Sequence, residues 1–346
     1  MVGSPSGSSV STSAPSSGSY QRRVVRTVDD LHPGTPAVVA AAGANANYGV
    51  EFMRAYERHP IQPVHGSYYI ELLDAAGQVA AFAPCHVQGD PLRALGLGPG
   101  EHALLSNVWH CSDGRVVAPE ATPAIATELL AAIRDVAWSA GLTRTGFINV
   151  AAGSPSAVAL AAAGVPGVHL DTRYWLDLAA HRDEEQLLAT IKPADRREYR
   201  RHWRRATEAG VKIVFRLARP DEDPEQLRLL ETTMDRVGSP GYYDRDELAR
   251  FLAETPHARI IEVSLDGELL ALAILFTDET RLHAWALGYD RDRRLPFSPY
   301  YVMWGSFLRL GWELGLPRLE AGRRNGEFKT RHGLCPQDLD AYVVPV

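Results

Sequence analysis

Two stretches of this chain concentrate residues that can do chemistry. The first is Arg196-Arg-Glu-Tyr-Arg-Arg-His-Trp-Arg-Arg205, with six arginines in ten residues. At 3.6 residues per turn, Arg196, Arg200 and Arg204 form one helical stripe and Arg197, Arg201 and Arg205 the next, while Tyr199, Trp203 and Ala206 fall on a packing face. Such a surface suits the phosphates of a nucleotide or an RNA backbone. It also suits a solvated face whose cations sit towards a helix C-terminus. The second stretch is Pro317-Arg-Leu-Glu320-Ala-Gly-Arg-Arg-Asn-Gly326-Glu-Phe-Lys329-Thr-Arg331-His-Gly333. It reads as a strand ending near Glu320 and running into a polar, glycine-punctuated loop, a place where α/β folds put sites. A surface loop is the plain alternative. Only three of the 36 basic residues are lysine (Lys192, Lys212, Lys329), so arginine is used wherever charge alone suffices and a retained lysine draws attention as an amine.

Other chemistries lack their residues. The three cysteines, Cys85, Cys111 and Cys335, are far apart and without CxxC spacing, which argues against a disulfide scaffold or structural zinc and for a reducing, cytoplasmic setting. The twelve histidines show neither H-x-x-x-H nor H-E-x-x-H spacing, so no metal is expected. His110 beside Cys111 reads as a buried strand pair rather than a thiol nucleophile. No G-x-S-x-G elbow is present.

The elements that must position these residues follow from pattern. Ser67–Leu73 and Gln78–Val87 read as strands joined by a turn, and Arg259–Leu265 and Glu268–Thr277 as a hairpin closed by Asp266-Gly267. Each pair is followed by a strand-like run (His102–His110; Arg281–Tyr289), then by an amphipathic helix (Thr122–Ala140; Ser298–Leu314). Both helices stop alike, at Trp138-Ser-Ala-Gly-Leu and Trp312-Glu-Leu-Gly-Leu, with glycine at the position that needs a left-handed backbone. Short strands follow, Thr145–Val150 and Pro317–Ala321. The repeated order reads as a degenerate internal duplication. Between the halves, Asp183–Gly210 is helical and divided by Pro193, then come the strand Val211–Leu217 and helices Pro224–Val237 and Asp244–Glu254.

The chain has 346 residues, enough for two ordinary domains. Its net charge of −6 argues against a globally basic nucleic-acid binder but leaves room for a local patch. No apolar run approaches the ~18 residues of a membrane helix. Residues 1–20, with nine serines and no charge, are expected to be a disordered tail.

Arg318-Leu-Glu320-Ala-Gly322, Glu327-Phe328-Lys329 and Gly333-Leu resemble the closing signature of the Fem-like branch of the GNAT acyltransferase superfamily. Leu176–Leu178, the acidic helix start, the arginine-rich helix, Gly210-Val211 and Tyr300-Tyr301 agree with it. The likeness covers roughly residues 170–346, and the first half joins it through the duplicated order. It implies an α/β fold of two tandem GNAT-like domains, each a mixed, mostly antiparallel sheet flanked by helices, over residues 21–175 and 176–346, with the active site in the second.

It further implies N-acyl transfer, from aminoacyl-tRNA to the amine of a small molecule or peptidoglycan precursor, with no resident cofactor. Acyl-CoA is the alternative donor, and a catalytically inactive binding module the alternative of another class. Lys329 would stabilise the developing oxyanion, as a fixed cation can. Glu320, or Glu327 after it, would act as base. Phe328, Trp285, Tyr289, Tyr300, Tyr301 and Arg331 would line the acyl or acceptor pocket. Arg196, Arg197, Arg200, Arg201, Arg204, Arg293 and Arg294 would meet phosphates. Ordinary GNAT enzymes hold the CoA pyrophosphate with [Q/R]-x-x-G-x-[G/A] at a helix start. Here the matching loop, Arg291–Pro299, has two prolines and no glycine, while Arg93-Ala-Leu-Gly-Leu-Gly98 fits the letters but precedes a strand. That favours the tRNA donor.

Overall fold

The computed structural model describes residues 11–12, 20–255 and 257–346; most of the expected disordered tail lies outside the described residues. In chain order come β1 (Ser11–Thr12), β2 (Gln21–Val25), α1 (Thr35–Ala41), α2 (Val50–Arg58), β3 (Val64–Leu73), β4 (Val79–Gln88), β5 (Ala103–Ser106), α3 (Pro123–Ser139), β6 (Arg144–Ala151) and α4 (Pro155–Ala162). Next are β7 (Val168–Asp177), α5 (Glu184–Thr190), α6 (Pro193–Glu208), β8 (Lys212–Leu217), α7 (Pro224–Arg236), α8 (Arg245–Ala253), β9 (Arg259–Leu265), β10 (Glu268–Thr277) and β11 (Arg281–Tyr289). The chain closes with α9 (Pro299–Glu313), β12 (Arg318–Arg323), α10 (Gly326–Arg331) and β13 (Cys335–Pro345). These form two compact units. Of the described residues, one comprises those up to Arg58, Pro63–Asp171 and Asp338–Val346, the other His59–Gln62 and those within Thr172–Gln337.

Each unit is a mixed, mostly antiparallel sheet flanked by helices, as expected. In the first, β2, β3, β4 and β5 are antiparallel neighbours, and β5 then pairs parallel to β6 over Leu104–Ser106 and Thr145–Phe147. In the second, β8, β9, β10 and β11 are antiparallel, and β11 pairs parallel to β12 over Arg281–His283 and Arg318–Glu320. Both parallel ladders are three residues long. The duplicated order therefore extends to register.

Local chemistry explains the matching elements. Asp74 accepts the amides of Ala76 and Gln78 in the first hairpin, and Asp266 and Gly267 are both left-handed in the second. Helices α3 and α9 end in the same pair of bonds: Gly141 N–H to Trp138 O and Leu142 N–H to Ala137 O, then Gly315 N–H to Trp312 O and Leu316 N–H to Gly311 O. Pro193 opens α6 at its first position, where no amide partner is lost.

The closing strands cross over in sequence. The first unit is completed by β13, antiparallel to β6, and Tyr342 is buried in its core with Ile70, Leu104, Leu129 and Phe147. The second is completed by β7, antiparallel to β12. The expected boundary at 175/176 falls inside β7, and residues 338–346, expected in the second domain, lie in the first unit. The second core gathers Ile261, Val263, Leu270 and Leu282 from the sheet, Val302, Met303, Phe307 and Leu308 from α9, and Tyr199 from α6. Gly305 lets α6 come close: a Cβ there would stand 2.3 Å from the Tyr199 hydroxyl.

The strand expected over His102–His110 is only Ala103–Ser106. His110 and Cys111 are buried in a turn, because Asn107, after a last bond from its N–H to Pro84 O of β4, takes a left-handed backbone and turns the chain out of the strand. Sequence reasoning also missed β2, α1, α2, α4, α10 and β13.

His86, on β4, is buried, with Nδ1 3.0 Å from Ser67 Oγ and its ring edge-on to Tyr69. Burial pushes its imidazole down to about 4. The unfolded chain binds this proton near pH 6.5 and the folded chain refuses it, so stability is lost as pH falls from about 6.5 to 4, by up to ~3 kcal/mol. Urea unfolding at pH 7.5 and 4.5 measures this. His86→Gln should show a smaller acid loss than wild type, and an equal loss would rule out the His86 contribution.

Candidate functional site

The two parallel ladders diverge differently. In the first unit, residues 107–113 loop out after β5 and the chain returns to fill the slot beyond it. Gly114 bridges Val150 of β6, with its N–H on Asn149 O at 2.9 Å, and Val117 bridges Phe82 of β4. Asn149 Nδ2 donates to Cys111 O at 2.7 Å, and Tyr48 Oη accepts the Arg115 amide. A Cβ on Gly114 would lie 1.9 Å from Ile148 O, so only glycine fits the slot. The Arg93–Gly98 pattern lies in turns before β5 and opens no helix.

In the second unit, β11 runs on through Ala284–Tyr289 after its last pair with β12, and its register with β10 shifts at Ala284/Ala286. Among the described residues no strand pairs with that stretch on the β12 side. The opening is the candidate site.

Lys329 sits at its edge, 5 % exposed. Its ammonium donates to Ala321 O (2.7 Å), Gly322 O (3.0 Å) and Arg323 O (2.7 Å), and lies 5.3 Å from the Tyr174 ring centre. Three donors meet three consecutive carbonyls at the end of β12. Gly322, Arg324 and Asn325 are left-handed there, a backbone strain that the ammonium and the Tyr300 hydroxyl bonded to Asn325 help to hold. In this arrangement Lys329 fixes the strand end.

Aromatic rings wall the opening on the α9 side. Tyr289 and Tyr300 lie 5.6 Å apart, Tyr300 and Phe328 4.8 Å, and Tyr301 and Phe328 5.0 Å, with Phe328 stacked on His332 at 3.9 Å. Arg291 donates to the Tyr289 hydroxyl at 2.7 Å. Burial pushes the Tyr300 and Tyr301 phenols up to about 12. His332 donates Nδ1–H to Phe328 O at 2.7 Å, which leaves Nε2 as a buried acceptor, and burial lowers its pKa. Trp285, expected in the same pocket, is instead packed with Tyr243, Phe251 and Phe276 beside α8.

Glu320 is buried between two guanidinium groups, with Arg318 Nε at 2.7 Å and Arg173 Nε at 4.0 Å. Arg318 in turn covers the Trp175 ring at 4.0 Å. In the parallel register Glu320 stands beside His283, whose Nε2 is 2.8 Å from Asp278 Oδ2. Arg281 Nε reaches the same oxygen at 3.0 Å. Burial raises the Asp278 pKa, but the bond to His283 and the charges of His283 and Arg281 outweigh it and hold the carboxylate far below its usual range. Sequence reasoning missed this pair, since a lone Asp and His five apart across a turn carry no motif.

The arginine helix α6 exposes Arg197, Arg200, Arg201, Arg204 and Arg205. Arg200 pairs with Glu185, Arg201 with Glu198 and Arg204 with Glu208, so carboxylates from α5 and α6 itself answer the stripe that looked nearly unanswered in sequence. Such exposed pairs hold by only about 0–1 kcal/mol, and a phosphate can displace them. Arg196 donates to Leu188 O, Arg293 pairs with Glu268, and Arg294 is exposed. Arg331 is held by Asp195 at 2.9 Å, with Glu198 and Glu327 near it at 3.5 Å. At the start of α9 the Ser298 amide donates to His202 Nδ1 at 3.0 Å, Arg205 donates to Pro296 O, and Pro299 has no amide hydrogen. Among the described residues, no group of three or more His, Cys, Asp or Glu side chains is placed to hold a metal, and no helix is long and apolar enough to cross a membrane.

A family model described as "Acetyltransferase (GNAT) domain" matches residues 194–330, the span from α6 to α10. A search of curated proteins gives no significant match. Among solved structures, FemX superposes with a TM-score of 0.62 at 12% identity, covering 91% of this chain and 97% of that one. A tandem GNAT protein from the clavulanic acid biosynthesis pathway gives 0.55 at 15%, covering 94% and 98%. The C-terminal domain of a putative lysylphosphatidylglycerol synthetase from Agrobacterium fabrum gives 0.52 at 14%, covering 89% and 92%. At these identities the likeness is one of fold. Residues 194–330 are thus similar to the GNAT acetyltransferase domain, and the fold of the chain is similar to those of FemX and a tandem GNAT protein.

Proposed function

We propose that the second unit moves an aminoacyl group from aminoacyl-tRNA to the amine of a small-molecule or peptidoglycan-precursor acceptor. The observation that carries the donor choice is the start of α9. A CoA pyrophosphate needs free amides at a helix N-terminus. Here Ser298 N–H is already bonded to His202 and Pro299 offers none. A donor held through its own phosphate backbone does not need that cradle, and the exposed arginines of α6, with Arg293 and Arg294, supply side-chain contacts instead. The likeness to FemX and to a lysylphosphatidylglycerol synthetase, named for a lysyl product, supports an aminoacyl donor.

The open edge of β11 supports the acyl-transfer chemistry itself. Its backbone groups can pair with an extended acyl chain, and the Tyr289, Tyr300 and Phe328 rings give the chain an apolar wall. The same edge suits the pantetheine arm of an acyl-CoA, which is the second reading. In either case Lys329 acts by holding Ala321–Arg323 at the mouth of the opening.

Donor choice is tested by retention. The purified protein is mixed with a pool of radiolabelled aminoacyl-tRNAs, and separately with CoA and short acyl-CoAs, at 50 and 200 mM salt. Charged tRNA should be retained at low salt and lose at least about tenfold in affinity at the higher salt, with no retention of CoA. Retention of CoA without tRNA would refute the proposal.

The clamp is tested by stability. Lys329→Met removes three charge-assisted bonds and leaves three carbonyls buried, so urea unfolding should show a loss of about 3 kcal/mol. A loss below about 1 kcal/mol would mean that the strand end does not depend on the ammonium.

A further inference from the structure

Acyl transfer to an amine needs a base, and the carboxylate expected to serve, Glu320, is buried between Arg318 and Arg173. Beside it in the parallel register stands His283. This pair marks the vertex of the opening, since β11 and β12 share no further ladder bonds beyond it. Leu282 and Leu319, the preceding residues on the two strands, face the core shared with α9, so His283 and Glu320 face the other side of the sheet.

We propose that His283, oriented by Asp278, is the base that takes the proton from the attacking amine. The inference rests on the acyl-transfer reading above. Asp278 Oδ2 lies 2.8 Å from His283 Nε2, which places the ring proton on Nε2 and the lone pair on Nδ1. The carboxylate stays ionised beside the Arg281 guanidinium and the His283 N–H, as an orienting group must. Opposite His283 on β10 is Phe276, an apolar neighbour. The charged groups around the ring are Asp278 and Arg281 on its own hairpin, and Glu320 with Arg318 and Arg173 across β12.

The step balances within the reactants. The amine nitrogen forms a bond to the acyl carbon while the carbonyl electron pair moves to oxygen. The ammonium proton passes to His283 Nδ1, and Asp278 stabilises the imidazolium through Nε2–H. The tetrahedral centre then reforms its carbonyl, the ester C–O bond breaks, and the departing oxygen takes the proton back from Nδ1.

The test uses the full chain with glycinamide as the amine probe, and with aminoacyl-tRNA and acyl-CoA as donors. Wild type is read first. Turnover with acyl-CoA alone overturns the donor reading above but leaves His283 to be tested with that donor, and turnover with neither donor overturns both. With the active donor, His283→Gln should lower kcat about 10²-fold or more, leave donor affinity within about threefold, and flatten the acidic limb of the kcat–pH profile. Asp278→Asn, nearly isosteric with the native residue, should lose the same limb. A purely structural pair would not alter the shape of that profile. Either variant retaining the wild-type profile and rate overturns the proposal. If His283→Gln fails to fold, Asp278→Asn alone decides.

Discussion

One buried ammonium sets the geometry at the second unit's site. Lys329 gathers the carbonyls of Ala321, Gly322 and Arg323, groups that would otherwise be available to a neighbouring strand. A β-strand offers its carbonyls alternately to its two neighbours, so three consecutive ones can converge on a single cation only if the strand bends. The left-handed Gly322, Arg324 and Asn325 are that bend. β12 thereby leaves β11 after three pairs, and everything attributed to the site depends on the departure: the unpaired edge, the ring wall from Tyr289 to Phe328, and the His283–Glu320 vertex. An arginine could not take this place. Its planar fork cannot point three donors at carbonyls converging on one point.

The first unit shows what the same architecture becomes without such a clamp. Its β5 and β6 also part after three pairs, but the chain's own Gly114–Val117 slides into the gap and satisfies the exposed edges of β4 and β6. An unpaired strand edge is a liability that proteins cover unless it is needed. One copy of the duplicated unit covers it from within and, among the described residues, the other leaves it uncovered, which is a physical reason to look for chemistry in the second.

Where sequence succeeded and failed follows from the range of the forces involved. The hairpins, α3, α9, the split at Pro193 and the β8–α8 succession were legible because caps, turns and apolar periods act within a few residues. The strand β13 was missed because its partner β6 is far away in sequence, and Trp285 was misplaced because facing depends on a register shift between β10 and β11. Lys329, Phe328, Tyr300 and Tyr301 were found as a group and are one in space, although the lysine holds backbone rather than reaching outward. The carboxylate that answers Arg200 was not visible beside it in sequence, because Glu185 lies on another helix. The Asp278–His283 pair was invisible, since only the fold of the β10–β11 turn brings the two together.

The crossing of the closing strands has a consequence for how the chain is made. β6 emerges from the ribosome long before β13, and until Leu339–Pro345 arrive its edge has no permanent neighbour. The first unit is begun early yet must wait, half-finished and with a bare strand, through synthesis of nearly all of the second. Contacts of such long sequence separation slow folding and prolong the exposure of sticky edges. Expression of either half by itself, cut at the midpoint of the sequence, therefore yields an incomplete sheet rather than a finished unit. The evolutionary counterpart is that the two copies, once exchanged in this way, can no longer be shuffled apart as separate modules.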